Sequence, residues 1–160
     1  MIRRPPRSTL DRSSAASDVY KRQPYGSSSN DSDKNRIWVS AGNGSTEGSI
    51  IESADGINAA ALAGLEGNPT TSLEGVIAMA PEVIINPQPP VSGEPFRKQL
   101  LANPVLKEIP AISHERVYVV PSKFFTTLSF WNLRGAEHLA VLLWPSEFGS
   151  TEFTGFSFPK

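Results

Sequence analysis

The residues best suited to bind a ligand lie shortly after a predicted strand at residues 116–120. Lys123, Phe124, Phe125 and Trp131 combine a positive charge with aromatic rings. Such a group suits a large ligand that is planar or anionic, because aromatic faces stack on flat molecules and a lysine attracts negative charge. Core packing beneath the loop is an equally good interpretation of Phe125 and Trp131. Because Phe124 and Phe125 are adjacent, we expect that they are not both buried.

A second group of polar side chains follows the first predicted strand, residues 37–41. Asn43, Thr46 and Glu47 offer an amide, a hydroxyl and a carboxylate that can hydrogen-bond to a ligand. Arg134, in the first turns of the last predicted helix, can reach an anionic ligand, and a surface role is an equally good interpretation. Together with the aromatic group, these residues are the candidate ligand contacts.

Glu74 is the strongest candidate for contact with another protein. It lies near the start of a predicted helix at residues 71–80, about 100° away from the apolar stripe of that helix. An exposed carboxylate in this place can bind a guanidinium group through both oxygens. The structural alternative is a capping box, in which Glu74 bonds back to the backbone N–H of Thr71. The residue types alone favour the capping box.

Most metal-binding chemistry is excluded by composition. The chain of 160 residues has no cysteine, so it has no thiolate ligand or nucleophile and no disulfide. Free ferric iron needs several tyrosine, histidine or carboxylate ligands, yet only Tyr118 lies in the predicted folded body, in the middle of a strand. His114 and His138 are predicted to be solvated surface residues. We therefore expect no metal site and no cofactor.

The alternative function from another class is a fragment of a Rossmann-like nucleotide-binding enzyme, because the first predicted strand runs into Gly42, Asn43 and Gly44. The dinucleotide pattern needs a third glycine at position 47, where Glu47 would repel pyrophosphate. The sequence also has no Gly-Lys-Ser/Thr phosphate loop, no His-Glu-Xaa-Xaa-His motif and no nucleophile elbow. These absences favour a protein that is not an enzyme.

Alternating strands and helices must position the candidate residues. Besides the strands at 37–41 and 116–120, a continuous apolar run at 83–85 predicts a strand that is buried on both faces. Helices are predicted at 50–54, at 71–80, at 96–102 and around the apolar stripe formed by Ala136, Leu139, Ala140 and Leu143. This order predicts an α/β fold, a three-layer lobe with a parallel, Rossmann-like sheet.

Ligands of such sheets bind beyond the carboxyl ends of the strands, where the loops at 42–49, 86–95 and 122–131 converge. Three strands make a small sheet, which indicates a fragment.

The ends of the chain differ in composition from this body. Residues 1–23 carry six basic and two acidic side chains and resemble a translated sequencing-adapter read-through, so we expect an unstructured artefact and no nucleic-acid arm. Residues 24–35 are small and polar, which predicts a linker. The folded body is predicted at 36–148, followed by a tail at 149–160. No apolar run is long enough for a membrane span, and no export signal is evident.

The body resembles the C-terminal lobe of the ABC-transporter substrate-binding proteins that deliver ferric siderophores, haem or cobalamin. Four segments carry the resemblance: a strand and glycine turn followed by a helix at 37–58, a Ser-Xaa-Glu helix leading into a Pro-Asp-Val-Ile-like strand at 71–85, an Arg-Val-Tyr-Val strand at 106–120, and a closing helix at 134–145. Two positions depart from the family pattern, since Asp55 replaces a glycine and Glu82 replaces the aspartate.

The resemblance implies a function in transport. It implies an extracytoplasmic protein, periplasmic or anchored outside the membrane, that captures a metal chelate or corrinoid between two lobes. It also implies that Glu74, the glutamate of the Ser-Xaa-Glu motif, docks against arginines of the permease. With the resemblance added, docking becomes the favoured interpretation of Glu74 over the capping box. The ligand itself is not specified, because the other lobe supplies much of the cleft.

Overall fold

The computed structural model describes residues 14–16, 37–39 and 45–148. In chain order these residues form β1 (Ser14–Ala16), β2 (Ile37–Trp38), α1 (Thr46–Ser53), β3 (Ile57–Asn58), α2 (Ala59–Leu62), β4 (Thr70–Thr71), α3 (Leu73–Met79), β5 (Val83–Asn86), α4 (Pro90–Ala102), a 3-10 helix (Pro104–Leu106), α5 (Pro110–Ser113), β6 (Val117–Val119), α6 (Ser122–Phe125), α7 (Trp131–Leu143) and α8 (Pro145–Phe148). Among the described elements, four strands form a parallel sheet in the order β3-β1-β5-β6. None of the described helices is long and apolar enough to cross a bilayer.

Helices cover both faces of this sheet. Ile84 packs on one face with Val117 and with Leu100 of α4, whereas Ile85 packs on the other face with Leu139 of α7. The alternation follows from strand geometry, because successive side chains of β5 point to opposite faces. All four residues of β5 are buried, as its continuous apolar sequence predicts. The three-layer α/β prediction is therefore confirmed.

The last long helix, α7, forms where the apolar stripe predicts it. Leu139 and Leu143 are buried on this stripe, and Pro145 begins the short helix α8 directly afterwards. Gly135 lies against α6, and a β-carbon at this position would overlap the carbonyl oxygen of Phe124. The missing side chain of Gly135 therefore allows α7 to approach the backbone of α6 closely.

The first predicted strand has a different partner from the one expected. Ile37 and Trp38 pair antiparallel with Thr71 and Thr70 in a separate two-stranded ribbon, and the backbone N–H of Val39 donates to Pro69 at 3.0 Å. The predictions that residues 37–41 join the parallel sheet and that a helix starts at Thr71 are therefore wrong. Strand propensity indicates an extended backbone but does not specify which strand edge it meets.

The segment after β5 is also more helical than predicted. A loop was predicted at 86–95 and a helix only at 96–102, yet α4 runs from Pro90 to Ala102 with Pro95 inside it. Pro90 occupies the first helical position, where proline is well tolerated because that N–H has no partner in a helix. Pro95 removes one further backbone hydrogen bond, which packing of Leu100 and Gly93 against the lobe outweighs.

The central position of the sheet is filled from the N-terminal segment. Ser14–Ala16 lie between β3 and β5, with Ala15 opposite both Asn58 and Val83. The prediction that residues 1–23 are entirely unstructured is therefore wrong at these three residues. The physical reason is that ladder hydrogen bonds are made by backbone groups, so a sequence with little strand propensity can pair between two strands with free edges.

A proline at position 15 tests this arrangement. In a central strand, Ala15→Pro removes a ladder N–H and should lower the free energy of unfolding by about 3 kcal/mol. Urea denaturation followed by circular dichroism measures the change, with Ser27→Pro in the predicted linker as the matched control. Equal stability of Ala15→Pro and the unmodified chain would show that Ser14–Ala16 contribute nothing to the sheet.

Candidate ligand-binding edge and docking carboxylate

Several of the elements that carry candidate ligand contacts pack against one another after the strands of the parallel sheet. α6 and the loop at residues 126–130 follow β6, and α4 follows β5. α1 packs against α7, and α6 packs against both of them. The start of α1 is capped by Ser45, whose hydroxyl accepts from the backbone N–H of Gly48 at 3.0 Å. The elements that follow β5 and β6 begin at the carboxyl edge of the sheet, where ligands of open parallel sheets bind.

The two adjacent phenylalanines are both in the core. Phe124 is 4% exposed and Phe125 is 2% exposed, so the prediction that they are not both buried is wrong. Both fit because α6 packs against α1 and α7, and Gly135 of α7 leaves room for the backbone of Phe124. Lys123 is exposed, with its Nζ 4.8 Å from the centre of the Phe124 ring. The two phenyl rings therefore belong to the hydrophobic core beneath the candidate site, whereas Lys123 lies on the protein surface.

The loop predicted at 122–131 and the start of α7 carry exposed hydrophobic side chains that were not among the candidate ligand contacts. Leu128 is 92% exposed, Phe130 66% and Leu133 73%; we call these three residues the apolar patch. The half-buried Trp131 stacks on Phe130 with ring centres 4.8 Å apart and packs on Phe124 at 5.8 Å. The sequence signal for the patch is the uncharged run at residues 126–133, which contains four large apolar side chains.

A groove of about 330 Å³ opens beside the apolar patch, between α1 and α7. Its lining residues are Ser45, Thr46, Ser49, Ile50, Ser53, Leu128, Asn132, Leu133 and Ala136. The hydroxyls of Ser49 and Ser53 donate to backbone carbonyls one turn earlier in α1. The Oδ1 atom of Asn132 is buried and has no hydrogen-bond partner within the described part of the chain. One wall of the groove, formed by α1, therefore carries hydroxyl groups, and the opposite wall includes the apolar side chains of Leu128, Leu133 and Ala136.

The other predicted contacts lie in different surroundings. Thr46 lines the groove, whereas Glu47, in the first turn of α1, is only 7% exposed. Arg134 forms an ion pair with Glu137 one turn later on α7. Asn43 lies outside the described residues. Thr46 therefore lies on the groove, whereas Glu47 is an acidic group at a helix N-terminus, where the helix dipole favours it.

Glu74 lies on the surface in the first turn of α3. The N-cap of α3 is Ser72, whose hydroxyl accepts from the N–H of Gly75 at 3.3 Å. The capping box through Thr71 is therefore not formed, because position N3 is occupied by Gly75 and Thr71 belongs to β4. Hydrogen bonds to the Ser72 side chain and to its own backbone hold the pKa of Glu74 below its usual value. Glu74 thus presents an ionised carboxylate to solvent.

The two histidines differ in their surroundings. His114 is exposed, and its Nδ1 lies 3.0 Å from the Pro110 carbonyl oxygen. His138 is half-buried against Phe125, with ring centres 6.4 Å apart, and burial lowers its pKa. The prediction that His138 is a solvated surface residue is therefore wrong. Among the described residues, no group of three histidine or acidic side chains is arranged to hold a metal ion.

Similar proteins agree with this architecture. The family model of the periplasmic binding protein family matches residues 11–124. The periplasmic haem-binding protein RhuT from Roseiflexus sp. RS-1, in its apo form, is 25% identical, with a TM-score of 0.60 over 69% of this chain and 41% of that one. The molybdate-binding protein MolA of a Haemophilus influenzae ABC transporter is also 25% identical, with a TM-score of 0.57 over 72% of this chain and 35% of that one.

A periplasmic binding protein from Veillonella parvula shares the fold, with a TM-score of 0.62 at 20% identity, over 83% of this chain and 43% of its own. No curated protein matches the chain. The chain thus spans less than half the length of each of these structures. The family and these proteins bind solutes and are not enzymes, so the nucleotide-binding alternative is not supported. Because the family match covers more than half of its residues, the chain belongs to the periplasmic binding protein family.

Proposed function

We propose that this chain is one lobe of the extracytoplasmic solute-binding component of an ABC importer, which captures a metal chelate or corrinoid and docks to a permease. Membership of the periplasmic binding protein family is the observation that carries the proposal. The complete protein would act in the periplasm or anchored on the outer side of the membrane. The candidate solutes are a ferric siderophore, haem or cobalamin.

Solute capture uses the carboxyl edge of the sheet. The apolar patch, Trp131 and Thr46 form one wall of a cleft, and a second lobe supplies the opposite wall. Enclosure between two walls removes water from both faces of the solute, so one wall alone gives only part of the binding free energy. Phe124 and Phe125 act from beneath by supporting Trp131 and the loop before it.

Docking to the permease uses Glu74. Its carboxylate is exposed in the first turn of α3. An arginine of a partner can therefore approach both of its oxygens and form a bidentate ion pair. Glu74 lies on α3, on the side of the sheet opposite to α1 and α7, so solute and permease contact different surfaces of the lobe.

We expect the 160-residue chain to bind its solute weakly, with a Kd above about 1 µM, because one wall of the cleft is missing. Titration with haem, cobalamin and a ferric siderophore, followed by tryptophan fluorescence, measures this affinity. Trp131→Phe should weaken the affinity because this ring is next to the apolar patch, whereas Trp144→Phe, whose indole N–H donates to the Ala54 carbonyl oxygen, should leave the affinity unchanged. A Kd in the nanomolar range would contradict the assignment as one lobe of a two-lobed receptor.

A further inference from the structure

We propose that the position between β3 and β5 is a strand-acceptor site. An extended apolar segment of another polypeptide, running parallel to both strands, occupies this position in place of Ser14–Ala16. Main-chain hydrogen bonds hold such a segment, as they do when a peptide adds a strand to the edge of a sheet. The binding involves neither the solute nor the permease, so it goes beyond the proposed function.

The first argument is the geometry of the sheet. In the order β3-β1-β5-β6, β1 lies between β3 and β5, and Ala15 is opposite Asn58 on one side and Val83 on the other. Both pairings are parallel. Each flanking strand therefore directs backbone N–H and C=O groups towards the same position. Any segment that fills this position gains ladder hydrogen bonds on both of its sides, whatever its side chains are.

The second argument is the surroundings of this position. Val83 and Ile84 of β5 and Asn58 of β3 are buried, and helices cover both faces of the sheet. A strand in such surroundings usually has a continuous apolar and β-branched sequence, as β5 does. The sequence of β1 is Ser-Ala-Ala, and alanine is depleted in strands. The position therefore suits a more apolar segment than the one that occupies it.

The third argument is that β1 can be exchanged without rearranging the other elements. It is the first of the described elements, and residues 17–36, which include the predicted linker at 24–35, separate it from β2. The stretch at 1–23 resembles a sequencing-adapter read-through, which accounts for the conflict between its sequence and a central place in the sheet. Because β1 is tethered to the lobe, it competes at a high effective concentration. A segment from another chain therefore needs a higher strand propensity to displace it.

Peptide binding to the full chain of 160 residues tests the proposal. The fluorescein-labelled peptide Lys-Lys-Val-Ile-Val-Ile-Lys-Lys is titrated with the chain while fluorescence anisotropy is followed. One control peptide, Lys-Lys-Val-Pro-Val-Pro-Lys-Lys, lacks two of the N–H groups that a ladder needs. The other control, Lys-Lys-Ser-Ala-Ala-Ser-Lys-Lys, has the composition of β1. We expect the first peptide to bind at least about tenfold more tightly than either control.

Variants of β1 test whether the peptide enters this position. Ala15→Pro weakens the resident strand, so it should tighten peptide binding by at least about threefold. The triple variant Ser14→Val, Ala15→Ile and Ala16→Val gives the resident strand a higher propensity. It should weaken peptide binding by at least about tenfold and raise the Tm of the chain by at least about 5 °C. The triple variant keeps every ladder N–H, so it decides the question even if Ala15→Pro does not fold.

Val105→Ser is the control for adsorption to apolar surface, because Val105 is exposed on the 3-10 helix and should leave the affinity unchanged. Failure of the first peptide to bind, or equal binding of all three peptides, would overturn the proposal. An affinity that the triple variant leaves unchanged would also overturn it. Dimers in gel filtration that Ala15→Pro abolishes, without peptide binding, would assign the position to β1 of a second copy instead. None of these measurements uses a solute or a permease, so each of these results would leave the proposed function in place.

Discussion

Replacing Gly135 with alanine is expected to lower the free energy of unfolding by about 2–3 kcal/mol. The added β-carbon would overlap the carbonyl oxygen of Phe124 and would lie 3.2 Å from Cδ1 of Ile50. The carbonyl belongs to the backbone of α6, so it cannot move aside as a side-chain end can. Alanine is the better helix former by about 1 kcal/mol, so a net loss would show that the overlap dominates. Urea denaturation followed by circular dichroism measures the change.

Gly93→Ala is the matched control for this experiment. Its β-carbon would lie 2.5 Å from Cγ1 and 3.2 Å from Cγ2 of Val119. These are side-chain and not backbone atoms, but a β-branched side chain has little rotamer freedom, so we expect only a somewhat smaller loss of stability. Gly135→Ala should also displace the start of α7 and so weaken solute binding at the apolar patch. Unchanged stability of Gly135→Ala would contradict the close approach of α6 and α7 described above.

Charge reversal at Glu74 is expected to reduce transport by the complete two-lobed receptor at least about tenfold, while the affinity for solute stays unchanged. The reason is that Glu74→Lys places a positive charge against the arginine expected on the permease, and mispaired charges at an interface cost several kcal/mol. Solute affinity is unaffected because α3 and the apolar patch lie on opposite sides of the sheet. Uptake into proteoliposomes that contain the permease measures transport, and fluorescence titration measures affinity.

Glu108→Lys is the control for the change in net charge, because Glu108 is also exposed but lies outside the regular helices and strands. Glu74→Gln keeps the shape of the side chain and removes only the charge, so it should give an intermediate loss. Normal transport with Glu74→Lys would rule out docking through this residue. If Glu74→Lys lowered folding stability and transport together, Glu74 would instead have a structural role at the N-terminus of α3.

Much of the core could be predicted because its pattern is local. The apolar run of β5 predicts that both faces of this strand are buried, and the apolar stripe of α7 predicts that one face of this helix is buried. The partner of β2 and the N-terminal half of α4 were not predictable in this way. Pairing depends on which strand edge is free, and the prolines of α4 are tolerated because of packing that lies outside their own segment.

The candidate site was predicted only in part, for a related reason. Thr46 lines the groove and Trp131 stacks on Phe130, but Phe124 and Phe125 are buried, and the exposed Phe130 was not singled out. The residue types of a loop are the same whether its aromatic side chains point inward or outward, so they do not indicate the direction of each ring. That direction is decided by the packing of α6 against α1 and α7, which buries the rings of Phe124 and Phe125 and leaves Phe130 in solvent.

By itself, the sequence determined the class of the fold, the strands β5 and β6, the closing helix α7 and the absence of cysteine chemistry, because each of these depends on residue type or on local periodicity. Only the tertiary structure decided which side chains reach the surface at the carboxyl edge, that Ser72 rather than Thr71 caps α3, and that Ser14–Ala16 complete the sheet. These features depend on contacts between segments far apart in the chain, and such contacts leave no periodic signal in either segment.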